Sequence, residues 1–436
     1  MFTKVKGTYD LLPKDAKKLS HIENYLKEVA SLYGYQEIRV PILASSDLIH
    51  RSTGESSDIV SKETYDFIDR GDRPMTLRPE GTAPVIRAII ENKMYANYPL
   101  PLKLFYYGDM FRYERPQKGR FREFRQFGVE VVGTNSPYMD AEVITLASTI
   151  FNSLRINNYY VRLNTLGDDE SRTNYRNALK EYFKDKLDSL CADCKRRYET
   201  NPLRILDCKA DKDNEVLLNA PKISDYLSDN SKAEFELVKS YLDTLKIPYV
   251  IDEQLVRGLD YYTNTIFEFV LKDNTLGQSG TICAGGRYNK LTKDLDGPEL
   301  GSIGFAFGLE RLMEIIDERV DYSHKLFCQL IPIGLNAKIN MIKLMQILRV
   351  SGFSCDMNYE ANSLKGHFKS SENNNVRFIL IQGDEELATH SIKIKDKIQN
   401  TEEIISEEDL MDYMIKRLRC SNKSCENCEG DCGNEN

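Results

Sequence analysis

Arginines and carboxylates set close to glycine and proline recur in four short stretches, and each combination suits the handling of a polyphosphate or an amino acid. In the densest, Arg112-Tyr113-Glu114-Arg115 leads through Gly119-Arg120 into a run from Phe124 to Glu130. A strand's period of two places Phe124, Gln126, Gly128 and Glu130 on one face. That face carries a ring, an amide, a space and a carboxylate, where a solvated face would carry mixed charges and threonines. By the same periodicity Arg112 and Glu114 share a face of the strand before them. The plain structural alternative is a surface hairpin with incidental charge.

Three further stretches read similarly. In Leu77-Arg78-Pro79-Glu80-Gly81-Thr82 a carboxylate and a hydroxyl flank a glycine, an arrangement suited to an ammonium group. In Val256-Arg257-Gly258-Leu259-Asp260-Tyr261-Tyr262 an arginine beside a glycine can bring its planar fork close to a phosphate. In Gly304-Phe305-Ala306-Phe307-Gly308-Leu309-Glu310-Arg311-Leu312, small residues predict a helix from about Gly304 packed tightly on a sheet, with Arg311 projecting toward a polyphosphate. Taken one at a time, these segments are equally a turn into a helix, a β-turn and a packed core helix.

The elements that must position these residues follow from hydrophobic spacing. Ile22, Leu26, Val29 and Tyr33 predict a helix from Lys14 to Leu32, ending near Gly34, and Tyr35 to Pro41 then reads as a strand. Leu102 to Tyr107 and Phe124 to Val132 form an antiparallel pair around the basic loop Glu114 to Arg120. Residues 166–247 are polar and mostly helical. Strand character returns at Ile266 to Leu271. Beyond Lys325, strands at Leu326 to Ile333, Phe353 to Tyr359 and Val376 to Gln382 alternate with a helix through Met341, Leu344, Met345 and Leu348. Ser406 with Asp409 caps a last helix, and the alternation predicts a small α/β domain with a largely parallel sheet.

A chain of 436 residues with 41% hydrophobic and 29% charged residues has room for two or three cores. The formal charge of −8 argues against a nucleic-acid partner only on average, because phosphate responds to local potential. No apolar run is long enough to cross a bilayer, and Met1 to Gly7 lacks a signal peptide's apolar core, so no membrane association and a cytoplasmic location are expected. Cys191, Cys194 and Cys208 form one thiol group, and Cys420, Cys425, Cys428 and Cys432 another. Three thiolates spaced as in the first resemble an incomplete zinc site without an evident fourth ligand, which favours reduced structural thiols over metal. The tail group permits metal capture, but the tail is too polar to fold alone.

Together these segments closely resemble the signatures of the class II histidyl-tRNA synthetases. The first family motif matches Gly34 to Pro41, the second Arg112 to Gly133 and the third Gly304 to Leu312. Histidine specificity is marked by Leu255 to Tyr262 and Cys283-Ala284-Gly285-Gly286-Arg287-Tyr288. The resemblance implies an α+β catalytic domain with an antiparallel sheet (1–165 and 248–322). It further implies a helical insertion (166–247), a C-terminal α/β anticodon-binding domain (325–419) and a cysteine-rich tail (420–436). The implied activity joins histidine to its tRNA using ATP and Mg²⁺ in a homodimer, with Pro41 at the interface.

The same resemblance assigns roles. Arg112 and Arg257 hold the α-phosphate, Arg311 the γ-phosphate, Phe124 stacks on adenine, and Glu114 and Arg120 make further nucleotide contacts. Glu80, Thr82 and Gln126 hold the amino acid's backbone charges, while Glu130 and Tyr262, with Tyr261 beside it, face the imidazole. Arg115, Gln117, Lys118 and Arg122 meet the tRNA acceptor end. The substrate's own carboxylate is the nucleophile, so the chain's five histidines need no catalytic part. The rival within the same resemblance is the synthetase-like regulatory subunit of ATP phosphoribosyltransferase. It generally lacks the anticodon domain and parts of the histidine-specific motifs, both of which this sequence retains.

Overall fold

Proline at its first turn and Asp15 against the positive end of its dipole start the helix Pro13–Leu32, which buries Leu19, Ile22, Leu26, Val29 and Ala30. It ends at Gly34, whose φ of +79° a side chain would strain. The computed structural model describes residues 2–421 except 55, 56, 58, 274, 277–279, 317–325, 361–363, 374 and 375. The chain forms two compact units, residues 1–321 and 322–436. The expected domain junction at 322–325 and the side chains of the cysteine-rich tail, residues 420–436, lie outside the described residues.

The first unit is organised by an eight-stranded sheet in the order Gln36–Glu37, Leu102–Phe111, Glu123–Val132, Ser302–Gly308, Thr281–Arg287, Thr263–Leu271, Tyr159–Thr165, Tyr249–Ile251. Its interior pairings are antiparallel, and only the two edge strands pair in parallel. Alternation divides the sheet into two faces. Phe127, Val129, Val131, Ile303, Phe305, Phe307, Phe267 and Phe269 join the apolar core with the helices Pro13–Leu32 and Pro137–Ser153. Each such side chain contributes roughly 1.5–3 kcal/mol on burial. The residues between them, among them Gln126, Glu130, Gly304 and Glu268, turn to the opposite face and line a cleft.

Two sequence expectations need correction here. Gly304 does not start a helix: Ser302–Gly308 is a strand at the middle of the sheet, and the helix begins at Leu309. The small residues serve the neighbouring strand, since a Cβ at Gly304 would stand 2.1 Å from Glu130 Oε2. The strand expected over Tyr35 to Pro41 is only Gln36–Glu37. Beyond it the buried Arg78 takes the Val40 carbonyl at 2.8 Å and draws the chain off the sheet edge. Residues 166–247 are helical as expected, with Asp169–Phe183, Ala192–Thr200 and Asp229–Thr244 the longest helices.

In the second unit, the strands Cys355–Met357, Cys328–Pro332, Phe378–Gln382, Ser391–Asp396 and Thr401–Ser406 form one sheet in that order. The first three run parallel, but the last two form an antiparallel hairpin. The sheet is therefore mixed, not largely parallel. Ile392 and Ile394 turn inward on this hairpin, while Lys393 and Lys395 reach Glu402 at 3.0 and 3.1 Å across it. Met341, Leu344, Met345 and Leu348 are buried on the helix Leu335–Val350. Ser406 caps the last helix, its hydroxyl accepting from Asp409 N at 3.1 Å.

Candidate active site

At the floor of a cleft of about 770 Å³, three chain segments converge on one carboxylate. Glu130 is 1% exposed. Thr82 donates to its Oε1 at 2.8 Å, and Tyr288 donates to its Oε2. Burial, outweighing these hydroxyl donors, pushes the Glu130 carboxyl up to about 8. The rings of Tyr261 and Tyr288 pack edge to face at 5.6 Å, and Tyr261 lies 4.8 Å from Tyr262. The pocket wall is thus aromatic with a titratable carboxyl at its end.

The close fit depends on glycines. Any Cβ at Gly128 or Gly81 would collide with the Tyr106 ring, at 2.4 and 2.1 Å, so both strand and turn leave room for that ring. Tyr106 lies buried beside Glu130 and Glu80, and its phenol is held well above its ordinary pKa, first by burial and then by those carboxylates.

Glu80 is 3% exposed and accepts from the backbone N–H of Thr82 at 2.7 Å and of Ala83 at 2.8 Å. It thereby satisfies the first amides of the helix Thr82–Glu91, which places Thr82 against Glu130. Burial raises its carboxyl, with those two amides pulling the other way. Gln126 lies between Phe124 and Glu130 along the cleft face, and its buried Oε1 has no hydrogen-bond partner among the described residues. An acceptor in that position is matched to a cationic or N–H donor.

Across the cleft the cations gather. Arg112 donates through Nε to the Pro79 carbonyl at 2.8 Å and lies 5.2 Å from the Phe124 ring centre. Its guanidinium is 3.9 Å from Glu114, to which Arg120 also reaches at 3.4 Å. The strand ends at Phe111, so Arg112 and Glu114 do not share a strand face as expected. Instead, Glu114 N–H folds back to the Arg112 carbonyl at 2.7 Å, and the tight turn brings both side chains to the cleft. Arg311 enters from the helix Leu309–Ile315. Burial and then the neighbouring Arg120 lower its pKa, partly offset by Glu114.

Arg257 is held by a carboxylate that the sequence did not single out. Glu268 pairs with Arg257, receives Arg162 at 3.3 Å, and accepts from Thr281 at 3.2 Å. Burial disfavours the Arg257 cation, but Glu268 and Tyr262 outweigh it and hold the pKa above its ordinary value. The backbone of Arg257 is fixed as well, with Arg204 donating to its carbonyl at 2.8 Å. Tyr288 was also missed as an individual site residue, although it ends a motif already singled out. Period-two alternation along Thr263–Leu271, with Phe267 and Phe269 inward, would have turned Glu268 to the cleft.

The residues expected at the tRNA acceptor end divide. Arg115, Gln117 and Lys118 are exposed, with Lys118 3.4 Å from Glu314. Arg122 is drawn inward: its guanidinium lies 3.7 Å from the Tyr113 ring centre and donates to the Glu114 carbonyl at 3.2 Å. Cys191, Cys194 and Cys208 do come together, Asp211 joins them, and Cys208 borders the cleft.

Comparison with known proteins bears on this geometry. A family model described as histidyl-tRNA synthetase matches residues 7–312, and one described as an anticodon binding domain matches residues 328–417. The chain is 44% identical to a histidine–tRNA ligase of Geobacillus sp. (strain WCH70), over 95% of this chain and 98% of that one. It is 46% identical to one of Staphylococcus haemolyticus (strain JCSC1435), over 94% and 98%. The crystal structure of apo S. aureus histidyl-tRNA synthetase superposes with a TM-score of 0.82 at 40% identity, covering 95% of this chain and all of that one. A Bacillus halodurans C structure described as an ATP phosphoribosyltransferase regulatory subunit/histidyl-tRNA synthetase matches at 22% identity with a TM-score of 0.64, and so shows a shared fold alone. The regulatory-subunit reading is thereby set aside, and the chain belongs to the histidyl-tRNA synthetase family as a class II histidine–tRNA ligase.

Proposed function

We propose that the cleft activates histidine with ATP, taken as its Mg²⁺ complex, and then passes the histidyl group to the terminal adenosine of tRNA. In the first step a carboxylate oxygen of histidine bonds to the α-phosphorus, and the bond from that phosphorus to the β-bridging oxygen breaks, releasing pyrophosphate. Negative charge grows on the oxygens around phosphorus, and preorganised guanidinium groups stabilise it. Arg112 and Arg257 take the α-phosphate, Arg311 the γ-phosphate, Phe124 the adenine face, and Glu114 with Arg120 the remainder of the nucleotide. In the second step a ribose hydroxyl attacks the activated carbonyl carbon, and AMP leaves.

For the amino acid, Glu80, Thr82 and Gln126 meet the backbone charges, while Glu130 and Tyr262, with Tyr261 beside it, meet the imidazole. One observation carries this reading: a buried carboxyl already held by two hydroxyls closes an aromatic pocket that opens toward a cluster of arginines. A site built around unpaired polar atoms rejects a side chain that cannot satisfy them by a large factor. Arg115, Gln117 and Lys118 form the acceptor-end contact, and Arg122 acts there by shaping the loop.

A homodimer accompanies this reading. It is supported by the exposed apolar side chains Leu43 and Phe67, which the register of the small sheet Leu43–Ser45, Pro74–Leu77, Tyr65–Ile68 puts on one face; sedimentation velocity tests it. A cytoplasmic location goes with the same reading, and no described helix is long and apolar enough to cross a membrane. The deciding experiment is ATP–pyrophosphate exchange with each of the twenty amino acids, followed by tRNA charging. Exchange and charging should depend on histidine, and exchange with another amino acid or none would overturn the proposal.

A further inference from the structure

Cys191 stands at the start of the helix Ala192–Thr200, and Cys194 lies in its first turn. The chain then makes the short turn Pro202–Ile205 and returns, bringing Cys208 and Asp211 back to the same helix end. One ligand atom from each of these four residues lies within 4.8 Å of all the others. Cys191 Sγ and Cys208 Sγ are 3.6 Å apart, and Cys208 Sγ is 3.5 Å from Asp211 Oδ2. Thiolates about 2.3 Å from a tetrahedral zinc ion stand about 3.8 Å from one another, so these edges fit such a centre. Asp211 Oδ2 is also fixed, accepting from the Cys191 backbone N–H at 3.0 Å. The fourth ligand that the spacing of cysteines alone left unidentified is therefore a carboxylate three residues beyond Cys208.

We propose that Cys191, Cys194, Cys208 and Asp211 bind a thiophilic divalent cation of the zinc class in a closed, structural site. Three soft sulfurs and one oxygen suit zinc over magnesium or calcium, which take oxygen ligands. Cys194 and Cys208 are 0% and 5% exposed, while Cys191 and Asp211 are half-buried at the outer side of the centre. What the ion organises is the wall of the cleft. Arg204, which donates to the Arg257 carbonyl, lies just before Cys208, and Leu206, Asp207, Lys209 and Lys212 line the cleft on either side of it. Tying Cys208 and Asp211 to the helix start fixes this segment at both ends. The metal site stands independently of the proposed reaction; only its influence on Arg257 rests on that reading.

The test uses the full chain with Cys420, Cys425, Cys428 and Cys432 changed to serine, so that the tail supplies no thiolates. Protein purified under reducing conditions and dialysed against zinc is analysed for metal. About one zinc per chain is expected, and the cobalt-exchanged protein should show thiolate charge-transfer and tetrahedral visible bands. Asp211→Asn should bind zinc at least tenfold more weakly. Cys191→Ser, at the half-buried and more tolerant position, should lose the tetrahedral cobalt spectrum while keeping its circular dichroism. Chelation should also speed hydrogen exchange in residues 203–212 but not in 123–132. The proposal is overturned by a metal-free protein with all three thiols titratable, by a Cys191–Cys208 disulfide in the peptide map, or by unchanged zinc affinity in both variants.

Discussion

Replacing Glu130 separates the imidazole from the rest of the substrate, because this carboxyl sits at the end of the pocket and its hydroxyl partners lie on other segments. A hydrogen bond to a charged group is worth about 1.5–3 kcal/mol, and a neutral one about 0.5–1.5 kcal/mol. Glu130→Ala removes the charged bond entirely, so kcat/KM for histidine in ATP–pyrophosphate exchange should fall roughly 10- to 150-fold, with KM for ATP nearly unchanged. Glu130→Gln retains an acceptor, and the Thr82 and Tyr288 hydroxyls can rotate to meet its amide. Its loss is therefore about 1–1.5 kcal/mol, roughly five- to twelvefold. Exchange at the original histidine KM in both variants would refute the assignment.

The pH dependence makes the same point without truncation. The carboxyl is raised from 4.5 to about 8, whereas a free imidazole titrates near 6.5. Between about 6.5 and 8 the empty pocket holds one proton and histidine arrives neutral, so the bound pair shares one proton with none gained or lost. Above about 8 binding requires proton uptake, and below about 6.5 it requires release, so histidine KM should be lowest between these values. Glu130→Gln has no alkaline titration at this position and should lose that limb while keeping the acid one. The sign for stability follows similarly. Between pH 4.5 and about 8 the folded chain holds a proton that the unfolded chain has released, so this group's contribution is full below 4.5 and declines as pH rises. Melting curves of wild type and Glu130→Gln should accordingly diverge through that window, the variant being relatively more stable at the alkaline end.

Gly304→Ala would put a methyl group 2.1 Å from Glu130 Oε2 and 2.3 Å from the Val129 carbonyl; overpacking of this kind costs about 1–3 kcal/mol. Its melting temperature should drop and its histidine KM rise, and wild-type values for both would contradict the packing argument. Arg257→Lys loses the planar fork beside Glu268, so kcat for adenylate formation should fall by about 10²–10³ with little change in histidine KM, as measured by single-turnover quench. Arg115→Ala with Lys118→Ala should leave exchange intact yet weaken charging and flatten the salt dependence of tRNA binding by about 0.7 per lost phosphate contact, read by filter binding.

Legibility in the sequence followed the range of the interactions. The face of Phe124, Gln126 and Glu130 could be read because strand alternation is local and Phe127 and Val129 on the opposite face are apolar. Gly304 was misread for the opposite reason. A run of small and aromatic residues suits either a tight helix or a central strand, and only the side chain of Glu130 on the neighbouring strand decides between them. Glu268 and Asp211 escaped notice because their meaning lies in partners 11 and 20 residues away, Arg257 and Cys191. The hairpin of Ser391–Asp396 and Thr401–Ser406 was missed although Ile392-Lys393-Ile394-Lys395 alternates at the strand period, because its short, charged partner with Glu402 and Glu403 resembles a solvated coil until the two are paired.

The cations of the cleft are held in place by the protein's own carboxylates, which suits the proposed binding of a polyphosphate. Among the described residues Arg112, Arg120, Arg162, Arg257 and Arg311 line the cleft, and without counter-charges they would repel one another and swing into solvent. Glu114 lies between Arg112 and Arg120, while Glu268 lies between Arg257 and Arg162. The two carboxylates differ in grip: Glu114 makes contacts of 3.4 and 3.9 Å, whereas Glu268 is nearly buried and bonded on both oxygens. Arg112 and Arg120 can therefore exchange a loose partner for a nucleotide at small cost, while Arg257 stays fixed and presents its fork from a rigid base. A guanidinium that must stabilise charge appearing only during the reaction gains from being immobile, because its orientation is settled before the barrier is climbed. By that reasoning, Glu268→Gln should slow adenylate formation more than it weakens ATP binding, and Glu114→Gln should do the reverse.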